Sequence, residues 1–205
     1  MGARGIYVET TIRASIDELW NATQDPEQHV RWDVRFSRIT PTERTPDGAE
    51  RFVSERRTPV HTVRGEGVSI GEVVRADGTR TSALRFGTAD RLSPLRDGRG
   101  YWRYEPVADG IRFSTGYDYV PGWGLFDVVV RPLVGWATAW SFDRLRIWLE
   151  TGVGPERWSL WHAVAFWRPD RPRAARCRRT PPRRGRALDG APATLSTLPA
   201  PGAAR

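Results

Sequence analysis

The chain has 205 residues and a formal net charge of +8, and all 32 of its basic residues are arginine. Residues 1–169 carry 23 arginines against 22 acidic residues, whereas residues 170–205 carry nine arginines against two acidic residues. The basic charge therefore belongs to the C-terminal segment and does not indicate a nucleic-acid partner for the rest of the chain. Because Cys177 is the single cysteine, an intrachain disulfide and an all-cysteine metal site are excluded.

The N-terminal residues lack the apolar stretch of about 7–15 residues that a secretory signal needs, so we expect a cytoplasmic protein. The longest apolar stretches without a charge are residues 132–142 and 158–167, and both are shorter than the roughly 20 residues that span a bilayer. Abundant Ala, Gly and Pro, together with arginine in place of lysine, are typical of a bacterial genome of high GC content.

The first 41 residues predict a strand, two short helices and a second strand. Residues 6–14 alternate and are rich in β-branched side chains, which is typical of a strand. Ser15 and Glu18 have the spacing of a capping box, so a helix should begin after Ser15. A second helical turn over residues 27–30 leads into a predicted strand over residues 34–41.

Turn signals then divide the chain into a series of predicted strands that should pair as antiparallel neighbours. The signals are the Asp-Gly pairs that begin at residues 47, 77, 97 and 109, and the Gly-Glu-Gly run at residues 65–67. Together with the first two strands this makes about seven. The predicted segments are residues 50–57, 68–76, 79–88, 100–106 and 111–120.

Residues 125–150 predict one long amphipathic helix, which Gly152 and Pro155 should end. Apolar residues recur along it at spacings of three and four. The domain boundaries that we predict are a ligand-binding domain over residues 1–152, a short amphipathic helical extension over 153–169, and a disordered tail rich in Arg, Pro and Ala over 170–205.

Two segments near the N-terminus carry a family resemblance. The run from Ile12 to Trp20, IRASIDELW, and the run from Asp25 to Asp33, DPEQHVRWD, resemble the start of SRPBCC or START-like proteins. That superfamily is also described as polyketide cyclases, dehydrases and lipid-transport proteins, and the resemblance covers about residues 6–150. It implies an α+β helix-grip fold, in which a curved antiparallel sheet of about seven strands wraps around a long C-terminal helix. Short helices follow the first strand, and a cavity lies between sheet and helix.

The resemblance implies that the cavity binds a hydrophobic small molecule, lipid-like or polyketide-like, in a carrier or sensor role. The alternative is a polyketide cyclase or aromatase that uses the same cavity. Such an enzyme would hold a reactive chain in shape while one Tyr, Arg or Glu moves a proton. The sequence has no Gly-x-Ser-x-Gly elbow and no phosphate-binding loop, so no motif identifies a catalytic residue or a cofactor.

The candidate cavity residues are aromatic and apolar side chains on the strands and the long helix, and the alternative for each of them is plain core. Alternation places Phe113, Tyr117 and Tyr119 on one face of their strand. Arg85 on a strand, and Asp127 and Arg131 on the long helix, are the charges most suited to the cavity, with a solvated position as the alternative. The full candidate set is Trp32, Arg85, Tyr104, Phe113, Tyr117, Tyr119, Phe126, Val130, Leu133, Trp136 and Trp140.

No metal site is predicted, because His29, His61 and His162 are scattered and match no ligand spacing. The basic tail lacks interleaved aromatic residues, so we expect no specific binding of nucleic acid. The segment between Trp158 and Trp167, together with the basic tail, is a candidate for weak peripheral contact with a membrane. The oligomeric state is left open.

Overall fold

The computed structural model describes residues 5–71, 75–165, 167–182 and 185–202, and it shows an antiparallel sheet packed around a long helix. This architecture confirms the predicted helix-grip fold. Residues 72–74 of the predicted strand 68–76 lie outside the described residues. The strands are β1 (Ile6–Ile12), β2 (Arg38–Arg44), β3 (Glu50–Arg57), β4 (Thr62–Gly71), β5 (Arg80–Gly87), β6 (Leu95–Val107) and β7 (Gly110–Pro121). The helices are α1 (Ile16–Gln24), α2 (Pro26–Trp32), α3 (Asp127–Thr151) and α4 (Thr194–Thr197).

The seven strands form one sheet in the order β1-β7-β6-β5-β4-β3-β2, and every neighbouring pair is antiparallel. From β2 to β7 each strand pairs with the one that follows it in the chain, which is a meander. β1 pairs with β7 instead, so the chain must cross to the opposite edge before β2. The helices α1 and α2 make that crossing.

Local signals set the ends of the helices as predicted. The Ser15 hydroxyl accepts a hydrogen bond from the Glu18 backbone N–H at 3.2 Å, and the Glu18 carboxylate accepts one from the Ser15 N–H at 2.9 Å, which confirms the capping box. Helix α3 ends where Gly152 takes the left-handed conformation, with φ of 72°, and donates its N–H to the Trp148 carbonyl.

Three glycines that predicted turns lie inside strands instead. Gly65 and Gly67 are in β4, opposite Ser54 and Phe52 of β3. Gly98 lies inside β6, next to a shift in its register with β7. A side chain at Gly67 would overlap the Phe52 ring, so this glycine serves packing rather than a reversal of the chain.

The core joins the sheet to α3 through large aromatic side chains. Phe113 of β7 stacks on Phe142 of α3 with ring centroids 4.4 Å apart. The indole of Trp32 is fully buried and donates to the Ala22 carbonyl at 2.8 Å, which ties α2 to α1. The C-terminal half of α3 is therefore fixed firmly against the sheet, whereas its first half carries four exposed residues, Val128, Val129, Pro132 and Leu133.

The region after α3 differs from its prediction. In place of a short amphipathic helix, residues Pro155–Arg157 and Leu160–Ala163 form single 3-10 turns. The later segment, predicted to be disordered, packs against the outer face of the sheet, where Leu195 and Leu198 contact a small cluster of Ala49, Val68 and Ala83. Few apolar residues suffice for this contact because the outer face carries small side chains there, which the low apolar content of the segment did not reveal.

We predict that replacing both Leu195 and Leu198 with serine detaches residues 185–202, because each leucine is buried in this small cluster. Hydrogen exchange should show lost protection in that segment, and the free energy of unfolding should fall by about 3–6 kcal/mol, which is roughly 1.5–3 kcal/mol for each buried leucine. Ser196→Ala, at the exposed position between them, is the control. Unprotected amides throughout this segment in the unaltered chain would instead support the predicted disorder.

Candidate functional site

A cavity of about 660 Å³ lies between the concave face of the sheet and the helices α2 and α3. Its volume is in the range of about 300–1,000 Å³ that is usual for small-molecule sites. The wall is largely apolar. Side chains from several elements contribute to it, among them Phe52, Leu84, Phe86, Trp102, Leu133 and Trp136.

Two pairs of phenylalanine and glycine help to keep this space open. Phe52 of β3 faces Gly67 of β4, and Phe86 of β5 faces Gly98 of β6. In each pair the far edge of the ring occupies the volume that a Cβ would need at the glycine. The rings therefore lie along the sheet instead of filling the space below α3.

One polar corner of the cavity is formed by His29, Arg35 and Tyr117, which line it, and by Asp33 and Thr138, which hydrogen-bond to them from behind. Asp33 follows α2 and is fully buried. Arg35 binds its carboxylate with two nitrogens, Nε to Oδ1 at 2.9 Å and Nη2 to Oδ2 at 2.6 Å. His29 contacts Oδ2 through Nε2 at 3.2 Å. The polar corner thus contains the Asp33 carboxylate, whose charge is paired with Arg35, and the His29 imidazole.

Asp33 is ionised in this setting. Burial alone would raise its pKa, but the Arg35 guanidinium and the hydrogen bond from His29 outweigh burial and lower the pKa well below its usual range. The Ser141 hydroxyl of α3 lies 3.4 Å from the same carboxylate. The Asp33 carboxylate therefore links the end of α2 to Arg35 and, through Ser141, to α3.

Arg144 of α3 reinforces this attachment from the other side of the helix end. Its guanidinium donates to the carbonyl oxygens of Arg31, Trp32 and Pro155 at 2.6–3.1 Å. Burial lowers the pKa of Arg144 to about 10, so it remains charged at neutral pH. The carbonyls that end α2 are thus paired, and α2 cannot move away from α3 without exposing them.

The Tyr117 hydroxyl has a defined hydrogen-bond direction. Thr138 donates its own proton to the Val134 carbonyl at 2.9 Å, so Tyr117 must donate to Thr138 Oγ1 across 2.7 Å. Burial raises the pKa of Tyr117, with Arg35 and Thr138 opposing that rise, so the phenol stays protonated. Its oxygen is left as an acceptor, and Arg35 Nη1 lies 3.4 Å from it.

A second polar group lies where α1 meets the sheet. Gln24 donates to the Tyr104 hydroxyl at 2.8 Å and accepts from the Ser82 hydroxyl at 3.4 Å. Tyr104 also lies 2.7 Å from the Thr23 hydroxyl. Gln24, Ser82 and Thr23 line the cavity, whereas Tyr104 lies behind them.

The structure brings four of the eleven candidate residues together at the cavity: Tyr117, Val130, Leu133 and Trp136. Four others are packed in the core and do not line it: Trp32, Tyr104, Phe113 and Trp140. These four aromatics are therefore plain core. Spacing along a strand or helix shows which face a side chain lies on, but not whether that side chain borders a cavity or packs against other side chains.

The remaining three candidates lie elsewhere. Arg85 points to the outer face of the sheet and donates to the Leu198 carbonyl at 2.9 Å. Tyr119 donates to Asp127 at 2.7 Å, and Asp127 in turn pairs with Arg131 at 2.7 Å, so these charges satisfy each other at the start of α3. Phe126 is mostly exposed.

Sequence reasoning missed His29, Arg35, Gln24 and the two phenylalanines, Phe52 and Phe86. His29 was considered only as one of three histidines that could act as a general base or an imidazole metal ligand. Its position four residues before Asp33 on one helical face was a readable signal for the pair. Phe52 and Phe86 gave no signal, because their role depends on the glycines that face them across the sheet.

Exposed apolar side chains gather at the end of the molecule where the cavity reaches the surface. Trp123, Leu133 and Leu160 line the cavity, yet they are 46%, 58% and 45% exposed. Leu125, two residues after Trp123 in the chain, is 95% exposed. We call this surface the apolar rim. It comprises these three cavity-lining residues and the exposed apolar residues that neighbour them in the chain, Leu125, Phe126, Val128, Val129, Trp161, Val164 and Trp167.

We predict that Asp33→Asn lowers the free energy of unfolding by about 3 kcal/mol at neutral pH, because Arg35 would lose its counter-charge. The folded pKa of Asp33 is below its unfolded value of about 3.9, so its contribution is complete above that pH and is lost as the pH falls toward the folded pKa. Urea unfolding should therefore show a smaller loss of stability on acidification in the variant than in the unaltered chain.

Asp109→Asn, in the exposed turn between β6 and β7, is the matched control for that measurement. It removes one carboxylate of the same type without touching the polar corner. Equal acid sensitivity of the Asp33 and Asp109 variants would contradict the role assigned to Asp33.

Comparison with known proteins gives a family match and one close relative. The family model described as polyketide cyclase, dehydrase and lipid transport matches residues 4–150. A protein of Bacillus subtilis named as the uncharacterised membrane protein YndG is 40% identical over 164 residues, which is 77% of this chain and 61% of YndG. The chain thus spans less than two thirds of that relative. Among the residues that the structure describes, no helix is long and apolar enough to cross a membrane.

Solved structures share the fold at low sequence identity. A STAR-related lipid transfer protein from Xanthomonas axonopodis has a TM-score of 0.51 at 18% identity, covering 73% of this chain and 96% of its own. The Zhui aromatase/cyclase from Streptomyces sp. R1128 has a TM-score of 0.52 at 13% identity, covering 74% and 98%. These likenesses concern the fold alone.

Proposed function

Because this chain belongs to the polyketide cyclase, dehydrase and lipid transport family, we propose that its cavity binds a hydrophobic small molecule, lipid-like or polyketide-like, in a carrier or sensor role. The observation that carries the proposal is the cavity itself, about 660 Å³ with a largely apolar wall and a polar corner at His29, Arg35 and Tyr117. An apolar molecule gains free energy by leaving water for such a wall, and the polar corner orients it.

The hydrogen bonds in the cavity favour a carrier over an enzyme. Asp33 is already neutralised by Arg35, and the Tyr117 proton is already directed to Thr138. Neither group is therefore free to transfer a proton without breaking a contact that holds the site together. A cyclase or aromatase that uses the same cavity is the second candidate, supported by the family description and by Arg35 and Tyr117 at the wall.

We predict that Ala137→Trp abolishes ligand binding, because Ala137 lines the cavity from α3 and an indole there would fill it. Native mass spectrometry of the purified chain should show a bound small molecule that an organic extract recovers, and the variant should lose that mass. Ala108→Trp, in the exposed turn after β6, is the control and should keep it.

Absence of any bound mass in the unaltered chain, with no rise in melting temperature across a panel of hydrophobic compounds, would overturn the proposal. The same samples separate the two candidates. A cyclase would convert a linear poly-β-carbonyl compound, and Tyr117→Phe would reduce turnover while leaving affinity nearly intact. A carrier would return the compound unchanged.

We also propose that the apolar rim rests on a lipid bilayer, so that a lipid-like ligand can enter the cavity directly from the membrane. Three of its residues, Trp123, Trp161 and Trp167, are tryptophans, a residue type that is enriched at the level of the lipid headgroups. The rim is continuous with the cavity through Trp123, Leu133 and Leu160. The description of YndG as a membrane protein agrees with this placement.

We predict that a variant with both Leu125→Glu and Val128→Glu binds phosphatidylcholine vesicles at least about tenfold more weakly in a sedimentation assay. Each of these exposed side chains would otherwise transfer apolar area to the bilayer, and about 1.4 kcal/mol corresponds to a tenfold change. Ala108→Glu, at the opposite end of the sheet, should bind as the unaltered chain does. Vesicle binding that is equal for all three proteins would contradict a role for the rim.

A further inference from the structure

Two loops on the sheet side of the cavity mouth, where the cavity reaches the surface, each present an exposed apolar side chain. The turn between β3 and β4 carries Val60, which is 93% exposed, and the loop between β5 and β6 carries Leu92, which is 58% exposed. At the opposite end of the sheet, none of the residues that the structure describes in the turns 45–49, 75–79 and 108–109 is a large, exposed apolar residue. An apolar tip is therefore a property of the mouth and not of the turns in general.

These two loops form one surface with the apolar rim. His61 Nε2 and Asp90 Oδ2, one from each loop, lie 2.7 Å apart. The second loop is joined to the rim in turn, because the N–H of Gly122, the residue before Trp123, donates to the Pro94 carbonyl at 2.7 Å. Pro94 and Trp123 both line the cavity. The loops and the rim thus border the same mouth, from the sheet side and from the helix side.

The loops also carry an excess of positive charge. Residues 55–64 and 88–96, which we call the mouth loops, contain five arginines and two acidic residues. Arg57 and Arg64 share one of those acidic residues, Glu55, at 3.6 and 3.1 Å. The arginines of the mouth loops are therefore only partly neutralised by their own neighbours.

Two arginines of the mouth loops have no acidic partner. Arg56 is half-buried and lines the cavity, and Arg91 is exposed and immediately precedes Leu92 in the chain. Neither forms an ion pair with any of the residues that the structure describes. A guanidinium stays charged at physiological pH and only donates hydrogen bonds, so these two groups suit an anionic partner.

We propose that the mouth loops bind the anionic headgroups of a lipid bilayer, while Val60 and Leu92 insert between those headgroups. This inference rests on the contact between the apolar rim and a bilayer proposed above, and it adds the sign of the charge on that bilayer. Guanidinium groups bind phosphate oxygens with two parallel hydrogen bonds, and the apolar tips leave water on insertion. The cavity mouth then meets the bilayer along both of its sides.

Vesicles of two compositions test the charge. One is phosphatidylcholine alone, and in the other phosphatidylserine replaces about one third of the lipid. The unaltered chain should bind the anionic vesicles at least about tenfold more tightly, because each arginine near such a surface strengthens binding about fivefold. A variant with both Arg56→Gln and Arg91→Gln should bind the two kinds of vesicle alike and should bind phosphatidylcholine as the unaltered chain does.

A charge-matched variant controls for the loss of two positive charges. Arg44→Gln together with Arg75→Gln removes the same charge from exposed positions at the opposite end of the sheet. This variant should keep the preference for anionic vesicles. In the unaltered chain, sodium chloride at about 0.5 M should reduce the preference, because salt screens exposed charges beyond a few ångströms.

A fluorescent label tests the insertion of the loop tips. Cys177, the single cysteine, is buried, and burial raises its pKa to about 12, so it should not react with the label. A nitrobenzoxadiazole label on Val60→Cys should shift its emission to the blue when anionic vesicles are added. The same label on Ala108→Cys, in the turn at the opposite end, should not.

The outcomes separate this inference from the contact on which it rests. Equal binding of the unaltered chain to both kinds of vesicle would overturn the inference and leave the role of the apolar rim intact. A preference that survives in the Arg56 and Arg91 variant would also overturn it, because the arginines of residues 171–186 would then carry the preference. An unchanged label at residue 60 would exclude insertion of the loops. Failure to bind either kind of vesicle would contradict the contact proposed for the rim, and this inference with it.

Discussion

The buried carboxylate of Asp33 links α2, α3 and, through Arg35, β7, three of the elements that border the cavity. It lies just after α2, is held by two nitrogens of Arg35, and is reached by Ser141 from α3. Arg35 in turn approaches Tyr117 of β7. A buried charge is stable only while it stays paired and hydrogen-bonded, so α2, α3 and the sheet are coupled through this one group. Moving α2, α3 or the sheet away would expose the carboxylate or separate it from Arg35. This constraint keeps the distance between these elements fixed.

The cavity has a polar corner beside α2 and apolar side chains where it meets the surface. His29, Arg35 and Tyr117 stand at the polar corner, whereas Trp123 and Leu133 border the opening. A ligand with one polar end would therefore enter with that end first and leave its apolar part near the rim. The same arrangement explains why exposed apolar side chains are tolerated there, since the surface they form is continuous with the binding wall.

Local signals in the sequence predicted the fold well. The capping box at Ser15, the end of α3 at Gly152 and the strand Glu50–Arg57 each depend on residues within a few positions of one another, and all appear in the structure. The cavity residues were predicted less well. Gly67 indicated a turn locally, but its role is set by Phe52 across the sheet. Trp32 was a candidate for the cavity wall, but it is packed in the core. Such outcomes depend on partners distant in sequence.

The two phenylalanines that lie over glycines have a consequence for how this binding site can diverge. Phe52 and Phe86 shape the sheet side of the cavity, yet neither belongs to the polar corner formed around Asp33. The residues that set the volume of the cavity are thus different from the residues that orient the ligand. Replacing one of these phenylalanines together with the glycine that faces it would change the volume of the cavity and so the size of ligand that fits. The polar corner that orients the ligand would stay in place.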